Sequence, residues 1–301
     1  MSPIRTIIVF PGQGAVRPGP ARLDQTATRR DLALAAVQEV ADTVIGADSV
    51  DMTNPKSDCY PLWLYAHALT SFEGMRGSLG AFDVLVGHSF GEITALTLGG
   101  AFSAVTGAEL ICHRILALRA AAPRGAMLAL DADVQKVEQL LDAAGEEQIA
   151  IAAENAERRT VVSGSAEAIE TIQRIAGALG VRARRLNARY PYHCPQLMQE
   201  AAHDFVQRAR YLSISSVQLP VYSPILRRYY ERDDNLVQCI ARHLVSRVRF
   251  SEALSVLSAD GPTSAIECGC LTGLLSSPQT YTFPDISEQD PDSEDTLRRA
   301  S

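Results

Sequence analysis

The chain has 301 residues, 47% hydrophobic and 21% charged, with a net charge of −7. That is enough for one large domain or two modest ones around a buried core, and no basic stripe marks a nucleic-acid binder. No apolar run reaches the ~20 residues that a membrane span needs. The N-terminal apolar run meets Gly-Gln-Gly instead of a small-residue cleavage site, so it reads as a strand and not as a signal peptide. The expectation is a cytoplasmic monomer. Cys59, Cys112, Cys194, Cys239, Cys268 and Cys270 form no CxxC pair, and the last two are too close for zinc spacing. They read as free thiols in a reducing compartment, and no metal site is expected.

In chain order, Ile4 to Phe10 is a β-branched run that meets a tight turn at Pro11-Gly12-Gln13-Gly14. Residues 15–30 read as loop, and Leu32 to Ile45 has the apolar spacing of a helix. Leu62 to Met75 reads as the next helix. Asp83-Val84-Leu85-Val86 is a short strand, followed by Gly87-His88-Ser89-Phe90-Gly91 and a helix from Glu92 to Gly99. Ser103 suits the N-cap of a helix through Arg119.

From 125 to 187 the rhythm changes. Met127–Leu130, Ile149–Ala153, Thr160–Ser163 and Val181–Leu186 read as strands, with helices at Val134–Ala143 and Ala166–Leu179. That βαββαβ order is the ferredoxin-like pattern, taken as a small subdomain over 124–187 inserted into a larger α/β body over 1–123 and 188–277. The body resumes with a helix at Gln196–Leu212, a strand at Val217–Tyr222, helices at Asn235–Val245 and Ser251–Ala259, and a strand at Thr263–Glu267. The acidic tail, 278–301, is expected to be disordered.

Gly87-His88-Ser89-Phe90-Gly91 matches G-x-S-x-G, the strand–turn–helix elbow that presents a nucleophilic serine. The helix N-terminus behind it, with the Phe90 N–H, suits a tetrahedral oxyanion. A serine needs a base. Of six histidines, His88 lies within the elbow, and His67, His113, His203 and His243 fall in helical patterns. His193 sits in the stiff, proline-flanked loop Tyr190-Pro191-Tyr192-His193-Cys194-Pro195, which makes it the first candidate without closing the question.

Several of these segments together resemble the malonyl-CoA:acyl-carrier-protein transacylase family, which includes polyketide-synthase acyltransferases. They are Pro11-Gly12-Gln13-Gly14, Gly87-His88-Ser89-Phe90-Gly91-Glu92, Arg114, Asn155 ahead of Thr160-Val161-Val162-Ser163-Gly164, and His193-Cys194 followed by Leu197-Met198. The resemblance runs to about residue 275. It implies an α/β-hydrolase-like body with an inserted ferredoxin-like subdomain. In the roles it implies, Ser89 forms the acyl ester, His193 is the base, and the N–H groups of Gln13 and Phe90 form the oxyanion hole. Arg114 would pair with the free carboxylate of a malonyl-type group, a role that suits a guanidinium, and Asn155 would face the same cleft. A backbone carbonyl would orient the histidine, and Arg249 is its nearest match. The segment ending at the histidine tracks with the acyl substituent in the family, which makes Tyr190 and Tyr192 substrate-binding candidates. The resemblance also implies acyl-CoA as a substrate with no resident cofactor, and as acceptor a carrier protein with a phosphopantetheine arm.

Departures from the family are Glu267-Cys268-Gly269-Cys270 in place of Gly-Pro-Gly, the unusual Tyr190–His193 segment and the bulky Phe90. The last two leave the acyl group open, while the first two, together with the acidic tail, favour a free-standing enzyme supplying a polyketide assembly line over one of general fatty-acid synthesis. Alternatives are a serine esterase or thioesterase on the same fold, transfer of a non-malonyl group between carrier proteins, and a non-catalytic binding module. The joint presence of Ser89, His193 and Arg114 argues against the last. Against hydrolysis, Asp131, Asp133 and Asp142 lie in the insert, and no acid is evident for the usual Ser–acid–His order.

Overall fold

The computed structural model describes residues 5–13, 27–79, 81–270 and 273–275. Gly14, most of the expected loop at 15–30 and the acidic tail lie outside them. The first half comprises β1 (Arg5–Phe10), α1 (Ala27–Ala41), α2 (Tyr60–Leu79), β2 (Val84–Gly87), α3 (Gly91–Leu98), α4 (Ala104–Ala121), β3 (Ala126–Leu130) and α5 (Val134–Ala144). Next come β4 (Ile149–Ala156), β5 (Arg159–Gly164), α6 (Ala166–Ala178), β6 (Ala183–Arg185), α7 (Pro195–Ala209) and β7 (Val221–Ser223). The last elements are β8 (Arg228–Tyr229), α8 (Leu236–Val245), β9 (Val248–Arg249), α9 (Phe250–Leu257) and β10 (Thr263–Glu267).

Two sheets result. The larger runs β10-β1-β2-β7-β8, parallel except for the last pair. Ile7, Ile8, Val9 and Phe10 are all fully buried, as expected of a parallel strand covered on both faces. The smaller runs β6-β3-β5-β4-β9. Its first four strands pair antiparallel, and with α5 and α6 they make the ferredoxin-like unit around its own core of Leu128, Val137, Leu140, Val162, Ile169 and Ile172. The chain is therefore an α/β-hydrolase-like body carrying a ferredoxin-like subdomain. β9, from outside 124–187, adds itself parallel to β4.

Caps fall where the sequence puts short polar side chains. Ser103 Oγ accepts from the N–H of Thr106, Asp133 from that of Lys136 and Ser165 from that of Ala168. Several expected elements end differently, the strand expected over 181–186 being shortened to β6, and two of these differences have a plain local cause. The regular helix of α1 stops at Ala41, and a wider turn, Asp42–Gly46, carries the chain to Gly46 at φ 102°, a conformation open to glycine. The strand expected over 217–222 is reduced to β7. Gln218 and Leu219 send their N–H groups to the Gly99 carbonyl, and Pro220 has none to give.

Candidate active site

The elbow is built by close approach. β2 ends at Gly87 beside Phe10, and Ser89 turns at φ 54°, in the left-handed region that non-glycine residues rarely enter. A Cβ on Gly87 would lie 2.1 Å from the Glu92 nitrogen, and one on Gly91 would lie 2.2 Å from the Phe10 carbonyl oxygen. Only glycine lets β2, the start of α3 and the end of β1 meet this way. The His88 N–H donates to the Phe10 carbonyl at 2.8 Å. The Gln13 turn and the Phe90 turn are thereby held side by side at the carboxyl ends of two parallel strands.

His193 meets the elbow from the loop before α7. It also has positive φ, 66°. Its backbone N–H donates to the Leu244 carbonyl at 2.7 Å, and its Nδ1–H donates to the Ser246 carbonyl at 2.6 Å. Since a carbonyl can only accept, Nδ1 carries the proton and Nε2 is bare. Nε2 accepts from the Ser89 hydroxyl at 2.7 Å. The orienting carbonyl is that of Ser246 and not of Arg249; the end of α8 reaches the loop three residues earlier than the sequence match suggests. Burial pulls the imidazole pKa down to about 3, so the ring is neutral at ordinary pH.

Arg114, on α4, is 2% exposed. Its Nη1 donates to Gln13 Oε1 at 3.1 Å, and the guanidinium lies over the rings of Tyr192 and Phe90, 5.0 and 5.7 Å from their centroids. Gln13 Nε2 in turn donates to the Tyr192 hydroxyl at 3.3 Å. Among the described residues no carboxylate pairs with Arg114, and its Nε has no partner. Burial lowers the guanidinium pKa, because the charged form loses hydration. Buried charges are ordinarily paired, and this one lacks a counter-charge among the described residues.

Asn155 is aimed by irregularity. β4 shifts register against β5 between Ile151 and Ala153 and again between Glu154 and Ala156, a device that re-aims side chains. Asn155 Oδ1 accepts from His88 Nε2 at 2.7 Å, tying the small subdomain to the elbow. Tyr190 packs edge-on to Tyr192 at 6.0 Å. Ser89, His193, Gln13, Arg114, Asn155, Tyr190 and Tyr192 all line one cleft, while the Phe90 side chain is buried behind it under Arg114. Sequence reasoning missed the rim, Lys56, Asp58 and Arg189. There Asp58 is gripped by Arg119 through two contacts of 2.9 Å, which hold its carboxyl below the usual range. The irregular stretch 46–60 carries no pattern that would have marked it. Among the described residues no group of three or more His, Cys, Asp or Glu side chains could hold a metal ion, and no helix is long and apolar enough to cross a membrane.

The sequence model of the acyl transferase domain matches residues 64–274. The chain belongs to that family. A spectinabilin polyketide synthase system protein of Streptomyces orinoci is 32% identical over 88% of this chain, which spans only 8% of that relative's length. Among solved structures, malonyl-CoA:acyl carrier protein transacylase from Xanthomonas oryzae is 26% identical, with a TM-score of 0.81 and 94% of each chain covered. The acyltransferase domain from module 8 of the salinomycin polyketide synthase is also 26% identical, with a TM-score of 0.79, over 92% of this chain and 70% of that one. As an acyltransferase homologue, the chain has its cleft at the carboxyl ends of the main-sheet strands, where open α/β sheets bind ligands.

Proposed function

We propose that this acyltransferase moves a malonyl-type group from CoA to the phosphopantetheine thiol of an acyl carrier protein through an ester on Ser89. The observation that carries the reading is the buried guanidinium of Arg114, without a carboxylate partner among the described residues, in the same cleft as the Ser89–His193 pair. An esterase for neutral acyl groups has no use for such a charge. A malonyl thioester has one free carboxylate to offer it, and a two-pronged contact would hold the thioester carbonyl toward Ser89.

In the first half-reaction Ser89 Oγ attacks the thioester carbonyl as its proton passes to His193 Nε2. The N–H groups of Gln13 and Phe90 receive the oxyanion. The imidazolium needs no acid beside it. The Ser246 carbonyl keeps Nδ1–H in place, and the carbonyl end of α8 supplies the negative pole that an aspartate supplies elsewhere. Collapse expels the CoA sulfur, which takes the proton from Nε2. In the second half the carrier thiol gives its proton to Nε2 and attacks the ester, and the Ser89 oxygen leaves as it takes that proton back from Nε2, which restores the hydroxyl and the neutral imidazole.

Intact-mass analysis after incubation with malonyl-CoA tests the reading. The expected result is one malonyl adduct, absent from Ser89→Ala and discharged by a phosphopantetheinylated carrier protein. Discharge at the same rate by water alone would establish hydrolysis instead.

A further inference from the structure

Three buried polar side chains outside the cleft have no part in this chemistry. Glu92, in the first turn of α3, and His243, on α8, are both fully buried, and Tyr230 is 7% exposed. Glu92 Oε2 accepts from the Tyr230 hydroxyl at 2.5 Å and lies 3.3 Å from His243 Nε2. Among the described residues, Glu92 Oε1 and both ring nitrogens of His243 have no hydrogen-bond partner. A carboxylate and an imidazole buried this way stabilise little, since apolar side chains of the same volume commonly do as well. What such a contact adds is geometry: apolar surfaces can slide past one another, whereas a carboxylate facing an imidazole is held to one offset.

The offset in question is that between Ser89 and His193. Glu92 follows Ser89 by three residues, and its N–H donates to the Ser89 carbonyl at 2.9 Å. His243 precedes Leu244 and lies three residues before Ser246, and those two carbonyls hold the His193 N–H and Nδ1–H. The contact thus joins the backbone that carries the serine to the backbone that holds its histidine. We propose that Glu92 and His243 are positioning residues, whose buried contact, anchored by Tyr230, sets the distance between Ser89 Oγ and His193 Nε2. The proposal rests on Ser89 and His193 being nucleophile and base, but not on the identity of the acyl group.

The test uses Glu92→Gln and His243→Gln, which come close in volume and remove the carboxylate–imidazole contact. The main readout is the rate at which a fluorophosphonate labels Ser89, which needs only the serine and its base. The second is KM for malonyl-CoA, and the third is the low-field proton resonance of His193 Nδ1–H. Labelling should fall by about 10- to 100-fold, the scale of a small misplacement of reacting groups. KM should change by less than about twofold, since no acyl-CoA contact is lost. The low-field resonance should shift or broaden, a change that lost stability alone does not produce. Folded variants that label at the wild-type rate, even with lower melting temperatures, would overturn the proposal. If both fail to fold, Tyr230→Phe, which keeps Glu92 and His243 and removes one anchor, carries the test, and wild-type labelling there is the contrary result. A wild type that labels at Ser89 yet transfers no malonyl group would remove the transferase reading and leave this one standing. Failure of the wild type to label would remove the nucleophile assignment beneath both.

Discussion

His193 gives its Nδ1 proton to the Ser246 carbonyl at 2.6 Å and accepts the Ser89 hydroxyl at Nε2 at 2.7 Å. One backbone oxygen therefore fixes the tautomer that a base requires. His193→Ala should slow ester formation on Ser89 by about 10²–10⁴-fold, the usual contribution of a positioned acid–base group. Stopped-flow or quench measurement of the acyl-enzyme burst checks this, and a burst of unchanged rate would point to a different histidine.

The buried imidazole also sets a pH dependence. With its pKa lowered to about 3 in the fold and 6.5 as the ordinary value, the unfolded chain takes up a proton first as pH falls. Stability then declines from pH 6.5 downward and stops declining on this account near pH 3. At pH 5 the loss from His193 should be about 2 kcal/mol, at about 1.4 kcal/mol per pH unit. His88, also lowered by burial, acts in the same direction. Urea midpoints at pH 7 and 5 should differ less in His193→Gln than in the wild type, and equal differences would contradict the burial argument.

Gly91→Ala should fail structurally. Its new Cβ meets the Phe10 backbone oxygen at 2.2 Å, and backbone cannot turn aside as a side chain can. Overpacking typically costs about 1–3 kcal/mol and occasionally more. A thermal melt should show a fall of several degrees or no cooperative transition, together with loss of Ser89 acylation.

Asn155→Ala leaves His88 Nε2–H buried without its acceptor. A buried donor left unpaired costs about 1–3 kcal/mol. Because the bond joins the two subdomains, hydrogen exchange should rise first in β4 and at the elbow. An unchanged exchange pattern would mean that the tie contributes nothing to their docking.

Much of this was legible from short motifs. The Gly87–Gly91 spacing implies the elbow because both glycines answer to steric contacts made within a few residues or with the neighbouring strand. The βαββαβ order of the insert was readable because its helices and its strands β3, β4 and β5 are long enough to show a period, although β6 keeps only three residues. β8 and β9, two residues each, are too short for that. The orienting carbonyl was misplaced from Ser246 to Arg249 because a backbone oxygen leaves no mark on side-chain identity. His243 read as an ordinary helical histidine, since its partners Glu92 and Tyr230 are brought to it only by folding.

Selectivity among donors should follow from charge at Arg114. A malonyl carboxylate entering the cleft loses water and needs a fixed cation; an acetyl group does not. Removing one partner of a buried ion pair costs about 3–5 kcal/mol, so Arg114→Ala should lower kcat/KM for malonyl-CoA by about two to four orders of magnitude. Acetyl-CoA should lose little, because its transition state makes no such contact. Arg114→Lys should recover only part of the malonyl rate. An ammonium presents a point charge in place of the planar fork, and it cannot reproduce both the Gln13 contact and the stacking on Tyr192 and Phe90. Initial transfer rates to a carrier protein, measured for both donors and all three proteins, decide the matter. Equal losses for the two donors would make Arg114 a packing residue, and a wild type preferring acetyl-CoA would overturn the dicarboxylate reading itself.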